Sequence, residues 1–130
     1  MRMILTILLL ATPVFAADVE EGADHFADYC ATCHGVEAKG DGPMADLLTV
    51  QPADLTQLSA RNGGEFPLDR VVRRIDGTMD VAAHGGPMPL FGLLLQGPSE
   101  AIMAPDGSEI VAPEAIAMIA AWLQTVQAGL

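Results

Sequence analysis

Cys30, Cys33 and His34 are the residues of this chain whose types and spacing could do chemistry together; they stand in the run Cys30-Ala31-Thr32-Cys33-His34. Residues i and i+3 of a helix project from one face, so two thiols at this spacing can reach a single planar partner. An imidazole directly after the second thiol is carried beneath that partner. This is the attachment pattern of a c-type haem, in which two sulfurs bond to the porphyrin vinyl groups and the imidazole coordinates iron. Other chemistries use the thiol pair without the histidine: a thioredoxin-like redox couple, half of a zinc site, or a structural disulfide. Zinc would want four ligands, and the chain holds two cysteines in all. A thioredoxin-like site would want βαβ patterning, and the hydrophobic periodicity shows none.

A sixth ligand for iron is sought next. The stretch from Asp80 to Gly92, Asp-Val-Ala-Ala-His-Gly-Gly-Pro-Met-Pro-Leu-Phe-Gly, is too rich in Gly and Pro for a helix or strand and reads as a loop of set shape. Met88 lies between Pro87 and Pro89, so its backbone is restrained and its thioether loses little entropy when held over a metal. Of the seven methionines, Met1 and Met3 belong to a leader. Met44, Met79, Met103 and Met118 are rivals whose ordinary role is to fill a core, and His84 is the competing imidazole. A ligating histidine also wants an acceptor for its Nδ1–H. The Gly42-Pro43 turn is the candidate, with an ordinary turn as the alternative. Arg61, Arg70, Arg73 and Arg74 are the cations within reach of haem propionates; each also reads as part of a solvated basic face.

The elements that must position these groups are helical. Val19, Ala23, Phe26, Tyr29 or Cys30, and Cys33 recur at helical spacing and predict a helix from Asp18 to Cys33. Asp18 is its expected cap, with Glu21 completing a capping box. Gly22 inside that helix predicts a close approach by another backbone or ring. His25 falls off the apolar face and reads as solvated. Asp54 is a possible cap for a short helical turn through Ser59, and Arg61-Asn62-Gly63-Gly64 is a turn. Pro67, expected at a first helical position, opens a helix from Leu68 to Asp76 stopped at Gly77, with Leu68, Val71, Val72 and Ile75 as its buried stripe. Residues 101–112 predict a small hairpin around Pro105-Asp106-Gly107-Ser108. Pro113 then opens a last helix to about Gln127, whose stripe is Ile116, Ile119, Ala120, Leu123 and Val126; Trp122 is large enough to cover Gly22 and Phe26.

Residues 1–16 read as a secretory signal peptide: Arg2, then an apolar run from Ile4 to Leu10, then Val14-Phe15-Ala16 as a small-residue cleavage site. Residues 17–130 form one domain. Six Lys and Arg stand against 17 Asp and Glu, a formal charge of −11, one unit more negative once Arg2 is removed. Such a surface repels nucleic acid and anionic lipid, and it suits a partner with a basic docking patch.

Together these residues resemble the class I monohaem c-type cytochromes exported by bacteria. The resemblance rests on the N-terminal helix ending in Cys30-x-x-Cys33-His34, the Gly42-Pro43 turn, the Met88-Pro89 loop and the C-terminal helix bearing Trp122. It covers essentially the whole mature chain. It implies an all-α fold, three to five helices wrapped around one covalently attached haem c, with long Gly/Pro-rich loops. It also implies His34 and Met88 as axial ligands, the Pro43 carbonyl holding His34, and terminal helices crossing at Gly22, Phe26 and Trp122. The 101–112 insertion departs from the compact family pattern. The expected function is periplasmic transfer of single electrons, with no enzymatic activity, between a redox protein or membrane respiratory complex and another partner. The alternatives are a haem subunit of a larger oxidoreductase, docking through the 101–112 hairpin, and a gas-binding haem protein whose sixth ligand is labile.

Overall fold

In the computed structural model, residues 15–79 and 88–129 are described. Residues 1–14, residues 80–87, with His84 and Pro87 among them, and Leu130 lie outside these.

Helix α1 spans Phe15–Tyr29. It begins before Asp18, so Asp18 is not its cap, and Glu21 reaches instead toward His25 one turn on, at 3.9 Å. Nor does the helix run unbroken to Cys33. The chain turns at Cys30, and a single further turn, α2, spans Ala31–His34. Hydrogen bonding carries across the join: the Cys30 N–H donates to the Phe26 carbonyl, and the Cys33 and His34 N–H groups turn back to the Cys30 carbonyl.

The C-terminal helix α4, Glu114–Thr125, buries Ile116, Ile119, Ala120 and Leu123 as its periodicity predicts, with Ala117 and Met118 beside them. It crosses α1 at Gly22, where a Cβ would collide with the Met118 carbonyl. Only glycine lets the two backbones meet. Phe26, 1% exposed, fills the crossing under Trp122, with ring centroids 4.5 Å apart and planes tilted by 38°.

Helix α3, Leu68–Asp76, packs its buried stripe of Leu68, Val71, Val72 and Ile75 into the same core. Pro67 sits at its cap rather than inside its first turn. Gly77 ends it in the left-handed region, φ 86°, and returns its N–H to the Arg73 carbonyl. Between β1, Ser99–Met103, and β2, Glu109–Pro113, the chain forms the predicted antiparallel hairpin, pairing Ile102 with Ile110. Asp106 closes its tip by accepting from the Ser108 N–H and hydroxyl. Ala112 on β2 is 2% exposed against the core, so the insertion is anchored to the domain. Among the described residues, the rest runs in loops with three short 3-10 turns, Ala45–Leu47, Leu55–Gln57 and Ala60–Asn62. The fold is thus helical, with one hairpin added, and its terminal helices cross as expected.

Candidate functional site

His34 ends α2 with its ring held from one side. Its Nδ1 lies 2.9 Å from the Ala53 carbonyl oxygen. A carbonyl only accepts, so Nδ1 carries the proton and Nε2 keeps a free lone pair. That is the tautomer a metal-ligating imidazole needs, with the orienting hydrogen bond on the far nitrogen.

Ala53 is placed by its own neighbours. Asp54 caps the following turn, accepting from the Thr56 N–H at 2.9 Å and from the Thr56 hydroxyl at 2.6 Å. The Leu55 N–H donates to the Ala38 carbonyl at 2.8 Å. The acceptor expected at Pro43 is therefore at Ala53. The Gly42-Pro43 turn does something else. The Gly42 N–H donates to the Cys33 carbonyl and the Met44 N–H to the Thr32 carbonyl, satisfying end carbonyls that a helix leaves without partners. The turn supports α2 and leaves the His34 ring to Ala53.

Above this ring opens a cavity of about 250 Å³, with Cys30, His34, Met79 and Met88 on its wall. The rest is apolar, from Phe26, Leu55, Leu58, Val71, Ile75, Ile119 and Leu123, except for Arg70 and Arg74. Packed interiors keep few voids larger than a water molecule, so a space of this size with such walls suits a large apolar ring. The groups on the wall suit a porphyrin and its iron: an imidazole, soft thioethers, the Cys30 thiol, and guanidinium groups for carboxylates, while Cys33, three residues on, lies outside the lining.

The thiols are free. Burial, with the neighbouring Cys33 adding to it, pushes the Cys30 thiol up to about 11. Reactive redox cysteines have lowered values and electropositive surroundings, so a thioredoxin-like couple does not fit. Among the described residues no group of three or more His, Cys, Asp or Glu could hold a metal ion, which leaves no zinc site there.

The methionines separate by position. Met44 and Met103 are exposed, and Met118 is buried in α4. Met88 and Met79 both reach the cavity, so of the four rivals to Met88 it is Met79 that lies beside it. Met88 is followed by a segment fastened to the end of α3: the Phe91 N–H donates to the Ile75 carbonyl at 3.0 Å, and Leu95 is buried. Gly92 lies so close to the Asp76 carbonyl that a Cβ would not fit.

The arginines separate too. Arg73 faces Asp69 at 3.8 Å and the Thr78 carbonyl at 3.4 Å. Arg61 does not line the cavity; it donates to the Asp54 carbonyl at 3.3 Å, bracing the turn that carries Ala53. Arg70 and Arg74, one helical turn apart on α3, are the cavity's own cations. His25 is half-buried on α1, its ring 6.3 Å from that of Tyr29, and does not line the cavity.

Sequence comparison agrees with this geometry. The family model described as cytochrome c matches residues 19–127. Over 88 residues the chain is 34% identical to a cytochrome c6 of Picosynechococcus sp. (strain ATCC 27264 / PCC 7002 / PR-6), covering 67% of this chain and 68% of the relative. No solved structure matches. A helix ending in Cys-x-x-Cys-His, a ring oriented for ligation and an apolar cleft bearing thioethers thus coincide with a family match over most of the chain, which belongs to the cytochrome c family as a class I, electron-transfer c-type cytochrome with covalently bound haem c.

Proposed function

We propose that this chain is an exported, periplasmic carrier of single electrons, with His34 and Met88 as axial ligands and no substrate bound at the metal. The observation that carries the reading is the His34 Nδ1–Ala53 hydrogen bond, which leaves Nε2 free toward a cavity that also holds Met88. When bound, the haem supplies an iron that takes up or releases one electron.

The chain's residues set the conditions for that transfer. Cys30 and Cys33 hold the ring covalently. His34 is oriented and made more basic by Ala53. Met88, in the segment fastened through Phe91 and Leu95, would supply the second ligand, and the apolar walls would disfavour the extra charge of the oxidised iron. Arg70 and Arg74 face the cavity as partners for the propionates, while Arg61 steadies the Ala53–Asp54 turn. A rigid pair of ligands and packed walls keep reorganisation small between the two oxidation states. Residues 1–16 act as the leader, and among the described residues no helix is long and apolar enough to cross a membrane. The strongly acidic surface suits a basic patch on a redox protein or respiratory complex, and gives nucleic acid or anionic lipid nothing to bind.

The optical spectrum of the mature ferric protein tests this directly. A weak far-red band from sulfur-to-iron charge transfer is expected, with no uptake of carbon monoxide by the ferrous form. A spectrum without that band, together with ready carbon monoxide binding, would replace the carrier with an open-site haem protein.

A further inference from the structure

Gln127 lies beyond the end of α4 and does not itself line the cavity, yet it is 7% exposed and three of its hydrogen-bonding positions are used inside the protein. Its Nε2 donates to the Leu55 carbonyl and to the Leu123 carbonyl, each at 2.8 Å. Its Oε1 accepts from the Ser59 N–H at 2.9 Å. An amide is the side-chain group that offers two donors and an acceptor at one end, which is what this place demands. The next residue adds a backbone bond, from the Ala128 N–H to the Thr56 carbonyl at 2.8 Å.

All of these bonds except the one to Leu123 end on the turn that presents Ala53 to His34. From the chain's C-terminal side the turn is held at Leu55, Thr56 and Ser59. From its other side it is held at Leu55 by Ala38 and at Ala53 by His34 itself. We infer that Gln127 is a positioning residue for the haem iron: it fixes the Leu55–Ser59 turn, and through it the Ala53 carbonyl that orients and polarises His34. The inference rests on the reading of His34 as an iron ligand. Without Gln127 the Ser59 N–H and the Leu55 carbonyl lose buried partners, and buried polar groups left without partners draw in water or force the backbone to move. The Ala53 carbonyl then drifts from Nδ1, His34 becomes a weaker electron donor, and ferric iron loses stabilisation. The reduction potential rises.

The test uses the mature holoprotein and compares Gln127→Met, which keeps size but loses all three bonds, with Ile116→Val, a core truncation in α4 away from the turn. The midpoint potential and the exchange rate of the His34 Nδ1–H, followed by proton NMR, are measured for both. Gln127→Met is expected to raise the potential and to speed that exchange by about tenfold, the factor that losing roughly one net hydrogen bond implies, while the far-red thioether band persists. Ile116→Val should lower thermal stability and move neither readout. A Gln127→Met protein that is less stable but keeps the parental potential and exchange rate would make Gln127 a structural residue only. If that variant fails to accumulate, hydrogen exchange on the unmutated protein decides. Opening of the Ser59 N–H and of the His34 Nδ1–H with one shared free energy supports the coupling, and independent opening overturns it. A parent protein whose iron is not bound by His34 overturns this inference together with the ligand assignment, an outcome distinct from failure of the Gln127 variant alone.

Discussion

The rings of Phe26 and Trp122 lie 4.5 Å apart at a tilt of 38°, one helical turn from the point where α1 and α4 touch backbone to backbone. Phe26 also lines the haem cavity, so the helix crossing and the cofactor share a wall. A change in how the two helices meet is therefore felt at the site.

Gly22 gives the clearest test of that coupling. A methyl group there would meet the Met118 carbonyl, which belongs to helix backbone and cannot swing aside. Overpacking of this kind costs about 1–3 kcal/mol. Gly22→Ala should lower the midpoint of thermal unfolding of the holoprotein, and shift the haem absorption more than an equally destabilising change on the exposed surface. Gly63→Ala is the contrast. Gly63 has open space around it but a φ of 72°, so its cost is conformational strain alone and the haem spectrum should not change.

Two thioethers reach the cavity, and substitution separates them. Met88→Ala should abolish the far-red band, lower the potential and admit carbon monoxide to the ferrous protein, with haem attachment retained through Cys30 and Cys33. Met79→Ala should leave the band and alter the wall only. The reverse result in absorption spectra of the two variants would make Met79 the axial ligand.

With 17 acidic residues against six basic ones, association with a basic redox partner should be steered by long-range attraction. The screening length shrinks from about 10 Å at 0.1 M ionic strength to about 3 Å at 1 M. The bimolecular electron-transfer rate should fall across that range, chiefly through the association step. Stopped-flow rates that stay flat or rise with salt would assign the acidity to solubility.

Local sequence already contained the covalent chemistry and most of the elements. Cys30, Cys33 and His34 are close in the chain, so the attachment motif they form is complete without a partner from elsewhere. The stripes of α3 and α4, the Asp54 cap, the stop at Gly77 and the hairpin around Asp106 are likewise set by neighbours within a few residues, so their periodicity and turn chemistry were legible. The glycine at position 22 announced a close approach. What approaches, the Met118 carbonyl, is 96 positions away and had no local signature.

The orientation of His34 was decided by tertiary structure. The sequence pointed to the Gly42-Pro43 turn for its carbonyl, and nothing local marked Ala53, 19 residues on, as the acceptor. Ala53 is brought to His34 by tertiary contacts, its turn being held by Ala38 on one side and by Gln127 and Ala128 on the other. In the same way, the arginines of α3 have similar sequence surroundings, and only the packing of Leu68, Val71, Val72 and Ile75 turns Arg70 and Arg74 to the cavity while Arg73 faces Asp69. Groups that act through neighbours in the chain are written in the sequence, whereas groups that act through partners tens of residues away are placed by the packing of the core.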